Sequence, residues 1–106
     1  MLVDVDSLRT KIRNAVRQVE SSARILLYGS RARGDARDDS DWDILILLDG
    51  RVDGARAQRV RRAVYEVEWE TGEVLSTIVR SNDDWESALS RSTPLYKNVA
   101  KDAISV

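Results

Sequence analysis

The sequence of 106 residues contains no cysteine and no histidine. The lack of cysteine excludes disulfides, thiolate zinc sites and cysteine nucleophiles. The lack of histidine excludes serine–histidine–aspartate triads and histidine-ligated metals. Carboxylates are therefore the main candidates for metal binding and acid–base work, and any catalysis by this chain would depend on oxygen ligands.

The sequence also lacks any apolar run long enough to span a bilayer, and the stretch from Met1 to Leu8 lacks the pattern of a signal peptide. We therefore expect a cytoplasmic protein with no membrane partner. A hydrophobic fraction of 42% and a charged fraction of 33% are typical of a globular protein. A chain of this size can bury a core but is not readily divided, so we expect a single domain over residues 1–106.

The formal net charge is only −1, and most of the basic residues are arginine. An arginine fork binds phosphate with a better-defined geometry than a lysine ammonium does. A general nucleic-acid binder would normally be basic. The charge balance thus favours a local phosphate site, with nucleic acid expected only as an acceptor. Arg56, Arg59, Arg61 and Arg62 form a basic cluster that fits either an RNA or acidic-partner surface or an ordinary solvated helix face.

Hydrophobic periodicity predicts helices alternating with short strands. We expect a small mixed α/β sheet of three or more strands flanked by helices, in the order helix, strand, turn, strand, helix, strand, helix, helix. The predicted helices are Ser7–Val19, Asp53–Glu70, Asp83–Leu89 and one that starts at Thr93-Pro94 with Leu95, Val99 and Ala103 on one face; the predicted strands are Arg24–Tyr28, Trp42–Leu48 and Val74–Val79.

Two polar motifs stand at the ends of the first two predicted strands. Gly29-Ser30 follows the first strand, and Asp41-Trp42-Asp43 opens the second. Side chains two apart on a strand point to the same face, so Asp41 and Asp43 should present their carboxylates together while Trp42 points the other way. Two such carboxylates can hold one or two Mg²⁺ ions, which prefer oxygen ligands and can support in-line phosphoryl transfer.

The glycine-serine turn is the predicted phosphate site. Gly29 allows a tight turn and close approach of a ligand, and Ser30 would begin a helical turn whose N–H groups face phosphate oxygens. Arg31 and Arg33 stand where guanidinium groups could reach the same phosphates. The polar segment Ser30 to Ser40 therefore reads as a helical turn followed by a loop.

Each motif alone is an ordinary structural feature. A glycine-serine turn after a strand usually carries no function, and an Asp-x-Asp at a strand edge is usually solvated charge that prevents aggregation. Their combination is what favours a site, because the two halves stand at adjoining strand ends, where open α/β sheets bind ligands.

The pattern of Gly29-Ser30, ten residues, and Asp41-x-Asp43 resembles the signature of the polymerase β-like nucleotidyltransferase superfamily, and most of the chain resembles its minimal branch, known as MNT. The resemblance implies a nucleotidyltransferase fold with Asp41 and Asp43 as catalytic metal ligands and Gly29 and Ser30 as nucleotide-binding residues. It implies transfer of AMP or another nucleoside monophosphate from ATP or another NTP to an acceptor hydroxyl. It also implies a toxin–antitoxin system in which the partner is a helical HEPN-type protein.

The sequence departs from that family at the strand Val74–Val79. Many superfamily members carry a third carboxylate there, whereas this chain has Ser76 and Thr77 at the nearest positions. Glu73 could substitute from the strand start, or it could simply be solvated. This departure leaves open an alternative function, a weak or inactive antitoxin-like binding module that acts by contact with a helical partner.

Two assembly questions stay open in the sequence. Trp69, Trp85 and Tyr96 could form a partner surface or could belong to the core, since the chain has no phenylalanine. A domain this small offers little surface for a large acceptor. We therefore expect either a second polypeptide or a homo-oligomer.

Overall fold

The computed structural model describes residues 5–37 and 39–106. Residues 1–4, part of the predicted Met1 to Leu8 stretch, and residue 38, part of the predicted loop, lie outside the described residues. The helices are α1 (Val5–Val19), α2 (Ser30–Arg33), α3 (Gly54–Thr71), α4 (Asn82–Trp85), α5 (Ala88–Arg91) and α6 (Pro94–Asp102), and the strands are β1 (Arg24–Tyr28), β2 (Trp42–Leu48), β3 (Leu75–Ser81) and β4 (Ile104–Ser105).

The strands of the described residues form one mixed sheet in the order β3-β2-β1-β4. β1 runs antiparallel to β2 and to β4, whereas β2 and β3 are parallel. A parallel pair requires a crossover connection, which is supplied here by α3. The expected mixed α/β sheet flanked by helices is therefore confirmed.

The strand β2 lies in the middle of the core because both of its faces are covered. Its residues from Ile44 to Leu48 are buried without interruption, as expected for a strand covered on both sides. Ile44, Ile46 and Leu48 pack in the larger cluster under α1 and α3. Leu45 and Leu47 face the other way and pack with Trp85 and Val99 of the C-terminal helices.

The long helices α1 and α3 lie together on one face of the sheet and are joined by ion pairs. Arg56 donates from Nε and Nη2 to the two carboxylate oxygens of Glu20, each at 2.8 Å. Both side chains are largely buried, at 21% and 13% exposure. A more exposed pair joins Lys11 to Glu70 at 2.6 Å.

One prediction about the C-terminal third is wrong, and another differs by one residue. The predicted helix Asp83–Leu89 is divided into α4 and α5, because Ser87 caps a new helix by accepting a hydrogen bond from the Ser90 amide. Ala103 lies just after α6 rather than within it, and the residues that follow form β4 beside β1. A two-residue strand has no periodicity of its own to reveal it.

The three aromatic residues left open by the sequence separate into two groups. Trp85 is buried and Tyr96 partly buried, and their rings lie 4.9 Å apart in the second cluster. Trp69 is 75% exposed on α3, where it meets the edge of Tyr65. Trp85 and Tyr96 are therefore core residues, and Trp69 alone is available to a partner.

The outer edge of β3 carries side-chain caps. Glu68 accepts from the Leu75 amide at 3.0 Å. The Thr77 hydroxyl donates to the Leu75 carbonyl, and Arg80 donates to the Val79 carbonyl. Capped edges of this kind resist pairing with another strand. None of the helices within residues 5–37 and 39–106 is long and apolar enough to cross a membrane.

Replacing Leu45 by alanine should destabilise the fold. Leu45 is fully buried on the central strand, so truncation removes apolar contacts and leaves a cavity. We expect a loss of about 3 kcal/mol in the free energy of unfolding, measured by urea denaturation. Leu89→Ala is the matched control, because Leu89 is 81% exposed. Equal losses in both variants would contradict this assignment of the core.

Replacing Glu20 by glutamine should change how stability depends on pH. The hydrogen bonds from Arg56 hold the pKa of Glu20 below its ordinary value of 4.5, against the opposing effect of burial, and the nearby charges of Arg56 and Arg59 assist. A lowered pKa stabilises the fold above the ordinary value, and this contribution is lost as pH falls through the folded-state pKa.

We therefore expect Glu20→Gln to be less stable than wild type at neutral pH and to approach it progressively below pH 4.5. Urea denaturation at a series of pH values measures this difference. Glu70→Gln is the control, since its ion pair with Lys11 is exposed and should contribute little. A stability difference that stays constant as pH falls would contradict the proposed role of the Glu20 charge.

Candidate active site

The two predicted motifs meet where β1 ends and β2 begins. The antiparallel register places Tyr28 beside Asp43, so Gly29 and Ser30 follow directly next to that carboxylate. Asp41 lies one residue before β2, and Trp42 is buried on the α1 and α3 side of the sheet. The site thus joins a backbone turn to two carboxylates, although Gly29 and Asp43 are separated by a polar loop in sequence.

The surroundings of Asp43 disfavour its negative charge, so a nearby cation would stabilise the carboxylate. Partial burial raises its pKa, the charge of Asp41 raises it further, and Arg33 opposes the shift. Tyr28 lies on the same face. Burial is the main cause of the raised pKa of its phenol, and the charge of Asp43 raises it further. Two carboxylates this close favour either a bound proton or a bound cation.

Ser76 is the β3 residue that faces the carboxylate pair. The parallel register places it beside Asp43, and its hydroxyl donates to Asp41 Oδ2 at 3.2 Å. Thr77 is directed to the other face, where it lines a groove against α3. The sequence left open whether Ser76 or Thr77 lies at the β3 position beside the two aspartates. The structure shows that Ser76 lies there.

Glu73 does not complete the carboxylate set. Its Oε2 accepts a hydrogen bond from the Trp42 indole at 2.9 Å, which directs it to the side of the strand opposite Asp43. Among the residues that the structure describes, no group of three or more acidic, histidine or cysteine side chains could hold a metal ion. The available metal ligands at this site are thus the paired carboxylates of Asp41 and Asp43.

Gly29 is the residue that allows this close assembly. Its φ of 78° and ψ of −159° lie in a region that is essentially restricted to glycine. A Cβ atom at this position would overlap Asp43 Oδ2. The Gly29 carbonyl accepts from the amides of Ala32 and Arg33, which closes the short helix α2 that begins at Ser30.

The guanidinium of Arg31 is directed away from the carboxylate pair. It donates to the Ser40 carbonyl at 2.9 Å and lies 4.6 Å above the Trp42 ring. These contacts hold the end of the polar loop and the start of β2 against α2. In this conformation Arg31 supports the site from the Trp42 side.

Arg33 lies on the site side and is held by two carboxylates. Its Nη1 contacts Asp102 at 2.9 Å, and its Nε contacts Asp35 at 3.2 Å. The side chain of Asp102 is only 9% exposed. Arg33 still lowers the pKa of Asp43 through its charge, so its positive field extends over the site. The sequence contained no signal for Asp102, because the contact spans more than half of the chain.

The family comparison agrees with this arrangement. A family model described as "Nucleotidyltransferase domain" matches residues 9–103, which include both motifs and all of α3 and β3. A comparison with curated proteins found no match.

Two of the crystal structures that match this chain illustrate the shared fold. One is the toxin–antitoxin complex MntA–HpeT carrying two aspartate-to-glutamate substitutions, with a TM-score of 0.60 and 17% identity over 92% of this chain and 70% of the other. The other is a protein from Sulfolobus solfataricus with a provisional nucleotidyltransferase name, with a TM-score of 0.53 and 25% identity over 95% of this chain and 83% of the other.

Replacing Gly29 by alanine should destabilise the protein by about 1–3 kcal/mol from backbone strain alone, with the overlap at Asp43 adding to that loss. Gly34→Ala is the matched control, because Gly34 also has a positive φ of 83° but has open space around its Cβ position. Urea denaturation of both variants measures the difference. If Gly29→Ala were no worse than Gly34→Ala, the close approach of Gly29 and Asp43 would be incorrect.

Proposed function

We propose that this chain, which belongs to the nucleotidyltransferase domain family, catalyses the Mg²⁺-dependent transfer of a nucleoside monophosphate to an acceptor hydroxyl, with ATP as the donor and AMP as the transferred group. The observation that carries the proposal is the pairing of Asp41 and Asp43 beside the Gly29-Ser30 turn. In this reaction the acceptor hydroxyl loses its proton to water, its oxygen bonds to the α-phosphorus, the bond from that phosphorus to the bridging oxygen breaks, and pyrophosphate leaves.

The carboxylate pair fits a divalent metal. Asp41 and Asp43 share one open end of the sheet, and the charge of Asp41 helps to raise the pKa of Asp43, an effect that a bound cation would oppose. Asp41 and Asp43 would hold one or two Mg²⁺ ions. Such ions neutralise phosphate charge and stabilise the attacking and leaving oxygens. Ser76 keeps Asp41 oriented through its hydroxyl hydrogen bond.

The turn at Gly29 is the proposed triphosphate site. Its lack of a side chain leaves the backbone accessible beside Asp43, and Ser30 starts α2 at the same point. Backbone N–H groups at such a turn bind phosphate oxygens well. The nucleotide would therefore lie with its phosphates between this turn and the carboxylates.

The two arginines would contribute differently. Arg33 already acts on Asp43 through its charge, so a small movement from Asp35 and Asp102 would bring it to a phosphate. Arg31 would have to leave the Ser40 carbonyl and the Trp42 ring to do the same. We therefore propose Arg33 as the principal phosphate ligand of the pair.

The acceptor we propose is a hydroxyl on a partner protein. One structural relative is part of a toxin–antitoxin complex, and the two aspartates substituted in that structure stand two positions apart, as Asp41 and Asp43 do. That likeness supports a protein partner for this chain, and we propose a helical HEPN-type protein in that role. The chain's own site is open at the sheet end, where a protein loop could approach.

A second candidate function is contact-based inhibition without catalysis. The observation that favours it is Ser76, a hydroxyl residue at the β3 position that faces the carboxylate pair. A domain of this kind would silence a helical partner by binding alone.

Calorimetric titration with a non-hydrolysable ATP analogue, with and without Mg²⁺, tests the proposed site. We expect binding that requires Mg²⁺ and that weakens at least about tenfold in the Asp41→Asn/Asp43→Asn double variant, because the metal ligands are lost. Asp83→Asn is the control, since Asp83 is an exposed carboxylate in the first turn of α4.

Equal binding by wild type and the double variant would contradict the metal site. No binding by either protein, together with partner inhibition that survives in the double variant, would favour contact-based inhibition. If Asp43→Ala retained full transferase activity, the proposed catalytic mechanism would be wrong.

A further inference from the structure

The outer side of α3 carries exposed aromatic surface. Trp69 is 75% exposed and Tyr65 is 54% exposed, and their rings meet edge to face with centroids 6.2 Å apart. Large exposed aromatics of this kind are enriched in the centres of protein interfaces. A groove of about 430 Å³ lies beside them between α3 and β3, lined in part by Gln58 and Arg61.

Charge is separated along the same helix. Its N-terminal half is basic and its C-terminal half is acidic, through Arg56, Arg59, Arg61 and Arg62 and then Glu66, Glu68 and Glu70. Acidic residues in the last turn oppose the helix dipole, so helix stability does not explain this order. No salt bridge within residues 5–37 and 39–106 includes Arg59, Arg61, Arg62 or Glu66.

The spacing of these residues is that of a helix-pairing stripe. Gln58, Arg62, Tyr65 and Trp69 recur at alternating intervals of four and three, which places them along one line of the helix. Arg59 and Glu66 flank this line on one side, and Arg61 and Glu68 flank it on the other. Each flank thus holds one arginine and one glutamate at the same separation.

We propose that α3 pairs antiparallel with α3 of a second copy of this chain, about a two-fold axis between Arg62 and Tyr65. Reversal about this axis places Arg59 opposite Glu66 of the second copy and Arg61 opposite Glu68 of the second copy. The same reversal brings Trp69 of one copy to Gln58 of the other, beside the groove, where arginine side chains can stack on the indole.

Self-complementarity is what selects a second copy as the occupant. A two-fold interface uses the same patch twice, so the arginine and the glutamate on each flank of this patch meet opposite charges when the patch is reversed. A purely acidic partner would neutralise the arginines but would meet Glu66 and Glu68 with like charge. An added strand would have to displace the caps on the Leu75 amide and the Val79 carbonyl.

This interface does not depend on the proposed function. α3 covers one face of the sheet, whereas Asp43 is directed to the other. The dimer would leave the carboxylate pair open, so Asp43→Asn should assemble as wild type does.

Sedimentation equilibrium of the full chain over a range of concentrations tests the proposal. We expect a wild-type dimer and monomers for Arg59→Glu and for Glu66→Arg, because each change places like charges opposite one another. The double variant Arg59→Glu/Glu66→Arg should dimerise again. Trp69→Ala should weaken dimerisation at least about tenfold, because it removes the largest exposed aromatic side chain of the stripe.

Matched controls are Lys97→Glu for the charge change and Leu89→Ala for loss of an exposed apolar side chain, since both residues are exposed away from α3. Both should dimerise as wild type does, and circular dichroism should show that every variant is folded. A monomeric wild type, a dimer insensitive to Arg59→Glu and Trp69→Ala, or a folded double variant that stays monomeric would overturn the proposal.

Discussion

The antiparallel pairing of β1 with β2 is the contact on which the rest of this molecule depends. It brings the end of one strand to the start of the next, so that Tyr28 and Asp43 become neighbours. Because the side-chain direction alternates along a strand, a shift of one residue would turn Asp43 into the apolar cluster under α1 and α3 and turn Ile44 to the face of the candidate site. The same register therefore secures both the core and the site.

The core of the fold could be read from the sequence wherever the periodicity was long. The strands Arg24–Tyr28 and Trp42–Leu48 were predicted with the bounds they have, and α3 differs from its prediction by one residue at each end. Two features of the C-terminal third could not be read in this way. The division at Ser87 depends on one capping hydrogen bond, and β4 exists because β1 offers it a partner.

The candidate site was predictable in its residue types but not in its contacts. The alternation of Asp41, Trp42 and Asp43 follows from strand geometry, so their separation onto two faces could be foreseen. The position of Arg31 could not be foreseen, because its guanidinium can either stack on Trp42 or extend toward the Gly29-Ser30 turn. The choice of Ser76 over Thr77 likewise required the parallel register of β2 and β3.

The bond between Arg33 and Asp102 ties the candidate site to the C-terminal part of the chain. β4 then covers the outer edge of β1 immediately after Asp102. During synthesis on a ribosome, β1, β2 and α3 emerge well before these residues do. The arginine beside the carboxylates therefore acquires its final position only after residues 102–105 have left the exit tunnel, so the site is completed later than the strands and the long helix that surround it.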